Sequence, residues 1–142
     1  MRYFILSLVA FVIITGGYIT LSGRVVTVTL SDQTLNAVVA DEPSEREIGL
    51  GRTESLANDE AMLFVFDRPE RHSIWMKDVK YPIDVIWLNQ RKEVIYTVES
   101  MQPDSYPKSY APNLPALYVL EMSSGFIDTY NINEGMRLEF SL

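Results

Sequence analysis

The sequence predicts an all-β domain with short helices, built as a sandwich or a barrel, and three features indicate it. Polar and apolar residues alternate over residues 25–30, which is the period of a half-buried strand. Short apolar runs bounded by turn residues recur along the rest of the chain, as they do in domains of many short strands. The stretch 101–115 contains four prolines, which exclude a regular strand and predict a long ordered loop.

The individual elements are predicted in chain order from these patterns. Residues 25–30 and 35–40 flank a turn and predict a β-hairpin. Ser44, with Glu47 three residues later, forms a capping-box pattern that predicts the start of a short helix. Later segments are predicted as strands at 61–66, 83–88, 93–98, 116–122 and 136–140, with one or two helical turns at 123–130.

The first segment of the chain has the character of a membrane anchor. Residues 3–23 carry no charged side chain, and about 20 apolar residues span a bilayer. A signal peptide has a shorter apolar stretch of roughly 7–15 residues. We therefore expect residues 1–23 to be an uncleaved signal anchor, with a cleaved signal peptide or a buried core helix as the alternatives. Residues 24–142 are then one domain on the extracytoplasmic side, periplasmic or extracellular, held by a single pass in the cell membrane or secreted after cleavage.

Composition and motif content disfavour several classes of protein. The chain has 12 Lys+Arg against 19 Asp+Glu, a net charge of -7, and scattered basic residues, which disfavour nucleic-acid binding. It has no cysteine, which excludes a thiolate nucleophile, a disulfide, a cysteine-ligated metal and a lipid-linked cysteine. The single histidine, His72, lies next to Arg71 and makes a poor metal site. No GxSxG, HExxH or phosphate-binding glycine loop occurs, so we expect no cofactor and no metal and assign no catalytic residue.

Charged residues inside apolar runs are the candidate site residues. Asp84 and Glu121 each lie within a predicted strand, and an unpaired buried charge costs several kcal/mol. We expect both carboxylates to face Lys77 or Arg52 in a cleft floored by Trp75. The alternative to a ligand site is that these charges lie on the solvated face or form structural ion pairs that fix strand register. Two carboxylates at a suitable separation also permit glycosidic hydrolysis.

Five short motifs follow one another in a characteristic order. They are Glu45 to Arg52 (EREIGLGR), Ala61 to Phe66 (AMLFVF), Ile74 to Lys77 (IWMK), Pro82 to Val85 (PIDV), and Tyr118 to Glu121 (YVLE) with Gly125. This series resembles the domain-of-unknown-function 192 family of small exported bacterial and archaeal proteins, over about residues 26–140. The resemblance implies a β-sandwich of jelly-roll type with short helices, and it implies no reaction, cofactor or partner.

These observations favour a non-catalytic binding or accessory module at the outer face of the cytoplasmic membrane. Its ligand or partner in the cell envelope stays open. A cell-envelope hydrolase using Asp84 and Glu121, and an envelope assembly or scaffold component, are the alternatives. The candidate ligand-binding residues are Arg52, Trp75, Lys77, Asp84 and Glu121.

Overall fold

The computed structural model describes residues 23–142, so the predicted anchor or signal peptide lies outside the described residues apart from Gly23. Within residues 23–142, no helix has the length and hydropathy needed to cross a membrane. The elements are β1 (Val25–Leu30), β2 (Gln33–Ala40), α1 (Pro43–Ile48), a 3₁₀ turn (Gly49–Arg52), β3 (Glu60–Glu70), β4 (Ile74–Trp75), β5 (Ile83–Leu88), β6 (Val94–Met101), a second 3₁₀ turn (Pro103–Ser105), β7 (Ser109–Tyr110), β8 (Ala116–Ser123) and α2 (Phe126–Thr129). The prediction of a mostly β domain with short helices is confirmed.

One mixed sheet contains six of these strands, in the order β1-β2-β3-β8-β5-β6, and β4 pairs with β7 in a separate two-stranded sheet. All neighbours in the large sheet are antiparallel except β2 and β3, which are parallel. A parallel pair needs a crossover connection, which α1 and the first 3₁₀ turn provide here. The jelly roll that the family resemblance implied would divide its strands between two antiparallel sheets. That expectation is corrected: this crossover leaves six of the described strands in one sheet.

Both faces of the large sheet are covered by apolar packing. One face packs against α2 and the chain end, where Ile127 and Leu138 are buried. The other face packs against the first 3₁₀ turn and the segment of β4 and the residue after it, where Leu50 and Met76 are buried. All six residues of β5 are buried, as expected for a strand enclosed on both faces.

The predicted last strand at 136–140 makes isolated bridges instead of a continuous ladder. Glu139 bridges to Thr29 of β1, whereas Arg137 bridges to Glu93 just before β6. The segment therefore changes partner after two residues. Because β1 and β6 are the two edges of the sheet, this segment links one edge to the other.

The start of α1 differs from the predicted capping box. Pro43 is the first helical residue, where its missing N–H leaves no hydrogen bond unmade. The Glu45 carboxylate accepts hydrogen bonds from the backbone amides of Asp41 and Glu42, each at 3.2 Å. The capping box is therefore formed by Glu42 and Glu45, which lie two residues before the predicted Ser44 and Glu47.

Candidate functional site

Glu121 is a buried carboxyl group in the middle of the sheet. It lies in β8 between Met62 of β3 and Val85 of β5. Its exposed fraction is 4%, and its Oε2 atom has no hydrogen-bond partner. Buried polar atoms are nearly always hydrogen-bonded, so this exception calls for a physical reason.

The surroundings of Glu121 favour its neutral form. Burial among apolar neighbours raises the pKa of the Glu121 carboxyl to about 8. Burial also raises the pKa of the nearby Tyr81 hydroxyl, and the charge of Glu121 adds to that rise. The Tyr81 hydroxyl is hydrogen-bonded to Thr53, whose Oγ1 donates to the carbonyl of Leu50 at 2.7 Å. Near pH 7 the group at this position is mostly a carboxylic acid, which both donates and accepts a hydrogen bond.

A small pocket of about 40 Å³ lies over the Glu121 side chain. Its walls come from α1 and the first 3₁₀ turn, from β3 and from the segment around β4. A cavity needs roughly 10–15 Å³ of such space to hold one water molecule, so the pocket accommodates a group of a few non-hydrogen atoms. The lining residues are Arg46, Glu47, Ile48, Gly49, Leu50, Phe64, Ser73, Ile74, Trp75, Lys77, Val79 and Glu121.

Gly49 keeps the space above the carboxyl group open. A side chain at this position would place its Cβ 3.9 Å from Oε2 of Glu121 and 3.3 Å from Cζ of Phe64. The backbone also has φ +50° here, a conformation that L residues rarely adopt. The sequence does not reveal this role, because a glycine just after a short helix is already explained by its ability to end the helix.

The rim of the pocket combines cations with an exposed aromatic side chain. Trp75 is 45% exposed, and its ring packs edge-on against Tyr106 with 5.9 Å between centroids. The Lys77 Nζ lies 5.9 Å from the centroid of the Trp75 ring. Arg46 is held by the fold, because its guanidinium donates to the carbonyl of Val65 at 2.8 Å. Lys77 takes part in none of the ion pairs found among residues 23–142.

The structure brings together three of the five predicted site residues. Trp75, Lys77 and Glu121 line the same pocket, whereas Arg52 is exposed and does not line it. Asp84 is buried on the opposite face of the sheet, because its neighbour Val85 is the residue paired with Glu121. The expected contact of both carboxylates with Lys77 or Arg52 is therefore wrong.

Asp84 has a structural role. Its Oδ1 accepts a hydrogen bond from the backbone amide of Ser100 at 2.8 Å, and its Oδ2 accepts one from the amide of Ile127, also at 2.8 Å. The side chain thus joins β5 to β6 and to α2. Both carboxylate oxygens are engaged by the protein itself.

A second, larger groove lies at the edge formed by β1 and the chain end. It is open, measures about 530 Å³, and is lined in part by Lys92 and Arg137. Lys92 is already engaged, since its Nζ donates to the carbonyl of Phe140 at 2.7 Å and lies 4.5 Å from that ring. Among residues 23–142, the one buried side-chain atom without a partner belongs to Glu121, so the smaller pocket is the candidate site.

The fold and the pocket define a class of protein: a small mixed-sheet β domain with a buried, unpartnered carboxyl group under a polar pocket. The chain belongs to the domain-of-unknown-function 192 family, described as "Uncharacterized ACR", whose family model matches residues 25–140. A UPF0127 protein from Pyrococcus furiosus is 34% identical over 70 residues, which are 49% of this chain and 54% of that protein. The chain spans about half the length of this curated relative.

Two solved structures have the same fold. A protein from Sinorhizobium meliloti, whose name proposes that it is a transcription regulator, superposes with a TM-score of 0.76 at 27% identity and covers 87% of this chain and 98% of its own. A protein of unknown function from Novosphingobium aromaticivorans superposes with a TM-score of 0.74 at 25% identity and covers 81% of this chain and 83% of its own.

Proposed function

We propose that this protein is an extracytoplasmic binding module, tethered to the cell membrane through residues 1–23, that takes a group of its ligand into the pocket over Glu121. The observation that carries the proposal is the buried Oε2 atom of Glu121 without a partner. An unsatisfied buried polar atom costs about 1–3 kcal/mol, which a ligand that hydrogen-bonds to it would recover. Gly49 supports the proposal because it leaves the space over that atom open.

A binding role fits the site better than hydrolysis by the pair Asp84 and Glu121. Glycosidases need two carboxyl groups on either side of the scissile bond, within about 10 Å of each other in one cleft. Here Asp84 and Glu121 lie on opposite faces of the sheet. A role in DNA binding, like the one that the name of the Sinorhizobium protein proposes, is disfavoured by the net charge of -7.

The binding role is tested with the full chain and a water-soluble digest of cell envelope. Immobilised wild type is expected to retain a component of the digest without turning it over. Glu121→Leu should reduce retention about tenfold, because leucine fills the same volume but offers no hydrogen bond. Tyr130→Ala is the matched control, since Tyr130 is exposed and packs on Phe126 at the opposite face. Equal retention by Glu121→Leu, or turnover of the component, would contradict the proposal.

The location is supported by the uncharged stretch 3–23 and is tested separately. A reporter enzyme that is active only outside the cytoplasm, fused after Leu142, is expected to be active. The same fusion without residues 1–23 is the control and should be inactive. A silent full-length fusion at normal expression would reverse the proposed topology, and the mass of the mature protein would tell an anchor from a cleaved signal peptide.

A further inference from the structure

We infer that the ligand is a glycan, with the C–H face of one sugar residue stacked on Trp75 and one hydroxyl or hydroxymethyl group of that residue in the pocket over Glu121. This inference rests on the function proposed above. It deepens that proposal by naming the chemical class of the ligand.

The size of the pocket separates the part of the ligand that enters from the part that stays outside. A volume of about 40 Å³ holds a hydroxyl or hydroxymethyl group but excludes a six-membered ring. The ring of the ligand must therefore lie against the rim, and Trp75 is the large apolar side chain of the pocket lining that is exposed.

Trp75 is well suited to pack against a sugar ring. An aromatic side chain offers a rigid apolar surface at low conformational cost, and one face of a sugar ring is formed by C–H groups. Tyr106 holds the indole edge-on, and Tyr106 is itself 44% exposed. The other tryptophan, Trp87, is fully buried and donates its indole N–H to the carbonyl of His72 at 2.8 Å. Trp87 thus follows the usual pattern of a buried tryptophan, and Trp75 departs from it.

The pocket lining contains cations, a carboxylate and a hydroxyl group, and this mixed set of donors and acceptors suits the hydroxyl groups of a ligand. Arg46 and Lys77 supply donors, Glu47 supplies acceptors, and the hydroxyl of Ser73 supplies both. A neutral Glu121 also donates and accepts. A hydroxyl group donates one hydrogen bond and accepts up to two, so it uses a mixed set of this kind. An ammonium group would meet Arg46 and Lys77 at the cost of like-charge repulsion, whereas a phosphate group would be repelled by Glu47 alone, so inorganic phosphate is the stricter charged probe.

The experiment uses tryptophan fluorescence of the full chain in a detergent without a sugar headgroup, such as lauryldimethylamine oxide. The chain has two tryptophans, and Trp87 is buried, so a ligand-dependent change reports on Trp75. The probes are the oligosaccharides cellotriose and chitotriose. Propylammonium and inorganic phosphate are the charged probes, and each carries a charged group small enough to be tested in the pocket. Trp75→Phe gives the background signal.

A saturable change with at least one oligosaccharide is the expected result. Because Trp75→Ala lacks the fluorescent reporter, its binding is followed by the NMR signals of an isotope-labelled oligosaccharide, and Trp75→Ala and Glu121→Leu should each weaken binding about tenfold. Glu121→Gln should stay within about threefold of wild type, because the amide keeps one donor and one acceptor. Tyr130→Ala, which removes an exposed aromatic ring on the opposite face, should leave binding unchanged.

Other outcomes separate this inference from the proposed function. A response to propylammonium or phosphate alone, abolished by Glu121→Leu, would overturn the glycan and keep the pocket as a binding site. Oligosaccharide binding that neither Trp75→Ala nor Glu121→Leu weakens would overturn the glycan inference and the proposed binding site over Glu121. The absence of any response to either oligosaccharide at millimolar concentration would overturn the glycan inference.

Discussion

Replacing Asp84 with alanine is expected to lower the free energy of unfolding by about 3–5 kcal/mol. The substitution leaves the amides of Ser100 and Ile127 without acceptors, and the Asp84 side chain is fully buried. Each orphaned donor costs roughly 1–3 kcal/mol, and the small cavity adds to the loss. Urea unfolding of the full chain, followed by the fluorescence of the buried Trp87, measures the change.

Two further variants identify the cause of that loss. Asp84→Asn keeps one acceptor oxygen but turns an N–H₂ group towards the other amide, so an intermediate loss is expected. Asp67→Ala removes an exposed aspartate from β3 and should change the free energy of unfolding by less than about 0.5 kcal/mol. A loss below about 1 kcal/mol for Asp84→Ala would show that the two hydrogen bonds contribute little to stability.

The sequence marks Asp84 and Glu121 as candidates for burial, but it does not show that they lie apart. Each carboxylate interrupts an apolar run, and both are buried as that pattern indicates. The pairing of Val85 with Glu121 puts the two side chains on opposite faces. A shift of one residue in this register would have put them on the same face, and register between strands far apart in the chain is not encoded in either strand alone.

The elements that could be predicted are those with a clear signal in their own stretch of sequence. Strands β5 and β8 follow from long apolar runs, and their predicted positions agree with the structure. Strands β4 and β7 have two residues each, too short for any periodicity to show. The parallel pairing of β2 with β3 depends on how α1 crosses the sheet, which local patterns do not specify.

The wild-type protein is expected to become less stable as the pH rises from about 4.5 to about 8. The pKa of Glu121 is 4.5 in its unperturbed form and about 8 in the folded protein. Between these values the unfolded chain has released the proton that the folded protein still holds, so each pH unit lowers the free energy of unfolding by about 1.4 kcal/mol. The contribution is fully present below pH 4.5 and is lost above pH 8, with a total on the order of 5 kcal/mol.

Glu121→Gln isolates this effect from the other titrating groups. Glutamine keeps the shape of the side chain and does not titrate, so the difference between wild type and Glu121→Gln should change with pH in the window 4.5–8 and level off on either side. Glu99→Gln, which removes an exposed carboxylate from β6, should keep the wild-type slope. Urea unfolding at one-unit pH steps gives both differences. If the curves of wild type and Glu121→Gln ran parallel through the window, the folded protein would be holding Glu121 charged, and a partner for its Oε2 atom would have to exist within the protein.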